Sequence, residues 1–526
     1  MKSEGTKRHT HRIRLLAFAA TWLALSAALL TFLTFDGYPL LRLEVALALA
    51  ALVLPALLMA LIYVDRRPIR VVLDGLLVGL AVDLVSSGWT WPVAAGLVAA
   101  VASFVLRGRL IEFVAVFSGF ALLASAAKFG TPNSWVTETS SPSRPTVPSA
   151  AGRPAIVHVL LDEHLGVEGF ANQLDGRKFA DKLKAFYEDR GFSVLDRAYG
   201  RHLHTINAIP DALNHGADFK HLERSSEDHQ APRLAYFETL ASMGYRTSVT
   251  QTEYLDLCYD NAVSNCVTYR ETSLIPLSNS SLSADDRAQL ILLNYIALSD
   301  AVKAAEKKYG QYAFRLERRT GIHLPLSPLR KKQTSTVSTM AAIEQFVTEV
   351  MKAKPGEAYF IHALVPHLPY SYEADCRLKD FADWQHPKDA TPLSVRQRSY
   401  QEQTFCAARL VGRIQDAVAS SPAGDNFLFV VHGDHGSRMT MQDPKSRLER
   451  IGDSDLIASY STLFAVRLPD GGNRGIRQAV AIPDLLRSLA ENQYRSISAV
   501  PDPKPYVWLE DSNWLPRKKI DLPQSF

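Results

Sequence analysis

Apolar and polar positions are distributed very unevenly along the 526 residues. Five apolar runs, at 15–34, 45–64, 69–86, 91–106 and 110–127, hold hardly any charge. About 20 such residues is the length a helix needs to cross roughly 30 Å of hydrocarbon. Residues 131–154 then switch to Ser, Thr and Pro without periodicity, predicting a linker or wrapped arm. From 155 to 505 short continuous apolar runs (157–161, 191–199, 245–249, 358–364, 426–431, 460–467) alternate with segments of helical period (178–187, 234–243, 285–308, 340–351, 403–418, 481–490). That alternation predicts an α/β domain with a mostly parallel sheet covered by helices on both faces. Residues 309–335 are basic and poor in apolar residues, as in an insertion, and the Pro- and Lys-bearing tail 506–526 need not be ordered. The expected organisation is a membrane domain at 1–128, a linker at 129–154, an α/β domain at 155–505 and a tail at 506–526.

Charge sets the orientation. Lys2, Lys7, Arg8, Arg12 and Arg14 precede the first apolar run, Arg66, Arg67 and Arg70 follow the second, and Arg107 and Arg109 follow the fourth. Lys and Arg favour cytoplasmic loops, so five crossings leave everything after about residue 128 outside, whereas four would leave it inside. A cleaved signal peptide is the rival reading of the first run, weakened by the runs that follow it. Asp74, Asp83 and Glu112 interrupt the apolar runs. Glu112 reads as interfacial, Asp83 as near enough to the outer end to be wet, and Asp74 as either a packing contact or part of a lipid channel. The net charge of +4 is spread thinly, which excludes a nucleic-acid surface. Four cysteines, all after residue 250, suit an oxidising compartment. Pairing neighbours gives Cys258–Cys266 and Cys376–Cys406, with four buried thiols as the alternative.

Two strands end in acid and imidazole clusters: 157–161 in Asp162-Glu163-His164, and 426–431 in His432-Gly433-Asp434-His435-Gly436. Strand C-termini are where an open α/β sheet binds ligands. Carboxylates with neutral histidine suit zinc or manganese, although an acid pair of this kind can equally be a helix cap or salt bridge, and Glu163 can cap the next helix. Thr205, where a loop enters a helix, can serve as a nucleophile near exposed helix N–H groups, or merely as a cap. His367 sits on a Pro-stiffened loop past a third strand and can bind phosphate or act as general acid. His362 before it reads equally well as a core histidine. Arg438 and Arg201 are candidate phosphate clamps or surface charges, and His202 and His204 can face the substrate.

These motifs resemble those of the alkaline phosphatase/sulfatase superfamily, in its membrane-anchored branch of phosphoethanolamine and phosphoglycerol transferases, the lipoteichoic acid synthase type included. The resemblance is strongest over 155–215, 358–370 and 426–490. It implies Asp162 or Glu163 as the acidic metal ligand after the first strand, Asp434 and His435 as the Asp-His-Gly metal motif, and His367 as the substrate-binding histidine. Thr205 matches the threonine nucleophile, with Thr205 to Pro210 standing where the branch has Thr-x-x-Ser-x-Pro. The Ser position is Ala208, with Asn207 beside it as a polar substitute. The Cys- or Ser-x-Pro-x-Arg signature of true sulfatases is absent. The resemblance implies a multi-pass protein of the bacterial inner membrane with its catalytic domain in the periplasm or cell exterior. It further implies ping-pong transfer from a membrane phospholipid donor to an envelope glycan or lipid. Oligomeric state is open, and a phosphodiesterase, a non-catalytic scaffold in envelope polysaccharide assembly and a transporter using Asp74 and Asp83 are the alternatives.

Overall fold

The structure is a computed structural model describing residues 2–522, apart from 64–66, 85–89, 106–109, 128–133, 141–151, 172, 174–175, 224–228, 232, 259–261, 321–328, 330–332, 388–390, 440–450, 470–478 and 498–504. Arg66, Arg107, Arg109 and most of the Ser/Pro-rich stretch therefore lie outside the described residues. The chain forms two compact units, one of residues 1–135 with 273–332 and the other of residues 136–272 with 333–526.

The first unit opens with helices α1 (Lys2–Asp36), α2 (Leu43–Ala51), α3 (Val53–Ile62), α4 (Arg67–Asp83), α5 (Thr90–Val105) and α6 (Leu110–Ala127). Two stretches, His11–Asp36 and Leu43–Ile62, are long and apolar enough to cross a membrane, and Val93–Val105 and Leu110–Gly119 are shorter apolar helices. Large apolar side chains such as Leu58, Leu76, Val101 and Phe117 are exposed, while small residues such as Ala17, Ala20, Ala48 and Ala56 are buried. The α4–α5 contact is so close that a Cβ on Gly75 would stand 2.9 Å from the carbonyl oxygen of Gly96. Asp74 is a packing contact: Tyr63 and Ser103 both donate to its carboxylate.

The second unit begins where a linker was expected. Val136–Ser140 is a strand, β1, followed by β2 (Ala155–Leu161), α7 (Val167–Ala171), α8 (Gly176–Glu188), β3 (Ser193–Val194), β4 (Ala198–Tyr199), α9 (Thr205–Leu213), α10 (Ala235–Ser242), β5 (Arg246–Thr252) and β6 (Asn265–Tyr269). The polar Thr-Glu-Thr-Ser sequence of β1 gives no apolar signal because four of its five residues are exposed on an edge strand.

The chain then rejoins the first unit as α11 (Ala284–Ile296) and α12 (Asp300–Thr320). A single helix over 285–308 was expected. The break falls at Ser299, whose hydroxyl caps α12 by accepting from the Val302 N–H at 3.2 Å. Asp36, Glu44 and Asp83 all serve this segment. Asp36 accepts from the Leu274 N–H at 2.9 Å, Glu44 pairs with Arg287 at 3.2 Å, and Asp83 accepts from Ser299 and from the Asp300 N–H at 3.2 Å. Asp83 is thus buried, not wet.

Back in the second unit follow α13 (Ser335–Val350), β7 (Glu357–Ala363), α14 (Leu393–Ala419), β8 (Phe427–Gly433), α15 (Asp453–Tyr460), β9 (Phe464–Arg467), β10 (Val480–Ala481), α16 (Ile482–Glu491), β11 (Tyr506–Glu510) and β12 (Pro516–Asp521). Eight strands form one sheet in the order β1-β6-β5-β7-β2-β8-β9-β3. Its central five, β6 to β8, are parallel, and the edge pairings β1–β6, β8–β9 and β9–β3 are antiparallel. Along β2, Val157, Val159 and Leu161 enter one core with Ala180, Phe346 and Val411, while Ile156 and Leu160 enter the other with Phe237 and Leu485. Burial on both faces explains why these strands read as unbroken apolar runs. The tail is ordered: β11 and β12 pair as an antiparallel hairpin whose Val507 and Leu509 are buried. Both expected disulfides, Cys258–Cys266 and Cys376–Cys406, are present.

Candidate active site

Register brings the clusters together. β2 lies between β7 and β8, with Leu161 opposite Ala363 on one side and Gly433 on the other, so Asp162, His362 and Asp434 emerge side by side. His362 Nε2 is 3.2 Å from Asp162 Oδ2. The Glu163 N–H donates to Asp434 Oδ1 at 3.0 Å, and Glu163 takes a left-handed backbone (φ 60) that a residue bearing a Cβ seldom adopts. The Tyr400 hydroxyl holds this turn, donating to the Glu163 carbonyl at 2.6 Å and accepting from the Leu165 N–H at 2.9 Å. Gly433 is required by space, since a Cβ there would lie 2.2 Å from Thr462 Oγ1.

Thr205 begins α9 directly after an extended N-cap, His204. Its hydroxyl donates to Asp162 Oδ2 at 3.2 Å and lies 3.5 Å from His435 Nε2. His435 is aimed by its other nitrogen, which is 2.9 Å from the Gly436 carbonyl. Thr205 therefore joins the two strand-end clusters at a helix N-terminus, where unpaired N–H groups favour an anion. His367 stands opposite, its Nε2 3.6 Å from Glu163 Oε1 and its side chain about one-fifth exposed. Gln403 fixes the His367 loop by donating to the carbonyls of His367 at 2.7 Å and Pro366 at 3.1 Å while accepting from the Ser371 N–H at 2.7 Å. Arg438 donates to Glu163.

Other candidate residues are engaged elsewhere. Asn207 donates to the Trp514 carbonyl at 2.8 Å and accepts from the Leu222 N–H at 3.0 Å, which turns its amide into the protein. In this structure it braces the Trp514 and Leu222 segments against α9. Arg201 is buried and paired with Asp484 at 2.7 Å. His202 and His204 both present Nδ1 to Glu510, the former at 2.9 Å, and His204 stacks on Trp514 with ring centroids 4.5 Å apart. Glu510, Trp514, Gln403 and Tyr400 have no sequence signal of their own, because each acts through contacts between segments far apart in the chain.

Burial raises the pKa of Asp162, but the His362 hydrogen bond and the nearby His367 and His435 outweigh it and hold the carboxyl below the usual range. Asp434 is pushed up by burial and by the Asp162 charge. Burial opposes the charge on Arg438, yet Glu163, Asp162 and Asp434 keep its proton bound. Asp162 Oδ1, Glu163 Oε2 and Asp434 Oδ2 are buried and lack a hydrogen-bond donor. Three carboxylates and one guanidinium meet here beside the imidazoles of His362, His367 and His435, and the carboxylate oxygens without donors are available to a cation. Asp162, Asp434 and His435 have ligand atoms within 4.8 Å of one another, as do Asp162, Glu163 and His367. Oxygen and imidazole donors in this arrangement fit a divalent metal.

No protein-family profile matches the chain. No curated protein matches it either. Solved structures do: the C-terminal periplasmic domain of EcEptC from Escherichia coli in complex with Zn aligns at 11% identity over 74% of this chain and 95% of that one, with a TM-score of 0.41. A phosphonate monoester hydrolase of Agrobacterium radiobacter aligns at 13% over 65% and 73%, with a TM-score of 0.35. An alkaline phosphatase superfamily protein from Vibrio parahaemolyticus aligns at 12% over 69% and 74%, with a TM-score of 0.36.

Proposed function

We propose that this chain is a membrane-anchored, metal-dependent transferase of the alkaline phosphatase/sulfatase type, moving phosphoethanolamine or phosphoglycerol from a membrane phospholipid to an envelope glycan or lipid. One observation carries the reading: the Thr205 hydroxyl, at a helix N-terminus, is hydrogen-bonded to Asp162 and faces His435 among carboxylate oxygens that lack donors. Asp162, Asp434 and His435, with Glu163, would hold the metal, which leaves His367 free for proton transfer. A bound divalent cation would neutralise phosphoryl oxygens and favour the ionised nucleophile.

The chain's own residues supply the rest. Thr205 Oγ1 releases its proton to solvent and bonds to phosphorus as the bond to the diacylglycerol oxygen breaks. His367 gives a proton to the departing oxygen. In the second half-reaction His367 takes the proton of the acceptor hydroxyl, the acceptor oxygen displaces Thr205, and Thr205 regains a proton from solvent. The N–H groups of Thr205 and Ile206, at the start of α9, hold the phosphoryl oxygens, while those of Asn207 and Ala208 donate to the His204 carbonyl. A substrate that stays in the bilayer gains from being held beside the site.

The proposed location outside the cytoplasm is supported by the first unit. Asp36 ends α1, Glu44 opens α2 and Asp83 ends α4, and short connections make these neighbours antiparallel. The acids that hold 273–300 thus sit at the end opposite Arg12, Arg14, Arg67 and Arg70. Residues 273–300 therefore pack at the arginine-poor end of the first unit, and five is the number of crossings we propose.

Intact mass of the purified, zinc- or manganese-loaded protein after incubation with mixed bacterial phospholipids tests the reading. Wild type gains the mass of phosphoethanolamine or phosphoglycerol, and Thr205→Ala gains nothing. Free phospho-headgroup without an adduct indicates hydrolysis, and neither product indicates a scaffold.

A further inference from the structure

Helix α12 spans 21 residues, and none of its described residues is buried. An isolated helix of this length in water is marginal, so a surface that covers one face stabilises it. Val302, Ala305, Tyr309, Tyr312, Ala313 and Leu316 fall on one stripe at helical spacing. Tyr309 is 36% exposed and Tyr312 61%. Lys308 and Arg315 border that stripe, and the helix carries six Lys and Arg against three Asp and Glu.

Its first turn is fixed at the end of an apolar helix. Asp83, the last residue of α4, accepts from the Asp300 N–H at 3.2 Å and from Ser299, so a carboxylate sits at the α12 N-terminus where the helix dipole favours it. The end of α4 is a membrane boundary if α4 spans, and the exposed tyrosines are of the type found at such boundaries. Apolar stripe, flanking cations and attachment at the boundary together describe a helix that lies in an interface.

We infer that α12 lies on the outer face of the membrane and binds anionic phospholipid headgroups. The cations would gather anionic lipid around the bundle, while the tyrosines seat among the upper acyl carbons. This rests on the proposed membrane placement but not on the transfer chemistry.

The test uses the full chain with Ala305→Cys, an exposed position on the stripe, carrying an environment-sensitive fluorophore. The protein is reconstituted in nanodiscs of phosphatidylcholine alone or with one-third phosphatidylglycerol. The expected result is a blue-shifted emission protected from aqueous quencher with phosphatidylglycerol. It should be weakened several-fold in phosphatidylcholine and partly reversed by high salt. A variant with Lys303→Glu, Lys307→Glu, Lys308→Glu and Arg315→Glu should lose the protection while keeping its melting temperature in detergent. Emission that stays water-like in both lipids overturns the inference, as does protection in detergent that grows with protein concentration, which would mark a second copy as the occupant. Adduct formation on a short-chain phospholipid in detergent should be unchanged in the four-site variant. Its loss in Thr205→Ala alone therefore separates failure of this inference from failure of the catalytic reading.

Discussion

Glu510→Ala isolates the contribution of the C-terminal hairpin to the site. Glu510 is fully buried and gives one carboxyl oxygen to His202 and the other to His204, the residue immediately before Thr205. Burial drives its carboxyl pKa well above the ordinary range and lowers that of His202, so these are hydrogen bonds between neutral groups. Alanine removes both. Neutral hydrogen bonds are worth about 0.5–1.5 kcal/mol each, and a buried group left unpaired costs about 1–3 kcal/mol. The two losses together remove about 2–3 kcal/mol. His202 is 1% exposed and cannot recover its bond from water, whereas His204, 17% exposed, recovers part of it. The thermal midpoint of the catalytic unit should fall by several degrees. If half of the loss is felt at the α9 N-terminus, the first-order rate of adduct formation falls about tenfold, since 1.4 kcal/mol is a decade. Melting by intrinsic fluorescence and time-resolved intact mass read the two effects separately. A variant with wild-type midpoint and rate would refute the idea that the hairpin braces the nucleophile.

Three other outcomes are expected. Asp162→Asn should strip the bound metal, measured by elemental mass spectrometry, because Asp162 belongs to both ligand groups. His158 is fully buried with no hydrogen-bond partner on either nitrogen, and burial followed by the nearby His432 drives its pKa well below 6.5. Since the unfolded state then binds more protons below pH 6.5, stability is full above that value and falls as pH drops, by up to about 1.4 kcal/mol per unit. His158→Phe should flatten that dependence in denaturant titrations at successive pH values, and an unchanged slope would clear His158 of the effect. Cys376→Ser with Cys406→Ser should cost about 3–4 kcal/mol for a loop closed over 30 positions, seen as a lowered denaturation midpoint.

The strand-end clusters were legible because β2, β7 and β8 are buried on both faces. Their apolar runs stop where Asp162, His362 and Asp434 begin, and parallel register does the rest. The allegiance of 273–320 was not legible. Its helices look like those of the α/β domain, and the residues that claim it, Asp36, Glu44 and Asp83, look like costly acids in apolar runs until their partners are known. The bracing by Asn207 was not legible either, because its neighbours match a substrate motif, whereas its hydrogen bonds go to Trp514 and Leu222. The hairpin was hidden by its composition: charged Arg517, Lys518 and Lys519 are all exposed on one strand, and its partner buries only Val507, Leu509 and Glu510.

The brace on Thr205 has a temporal meaning. His204 and Glu510 are 306 positions apart, so a growing chain presents Thr205 long before the residue that frames it. Until the hairpin forms, Thr205 stands on an unbraced loop, and Asp434 and His435 are also still to come. On the proposed reading, competence therefore arrives late in biogenesis, with the hairpin.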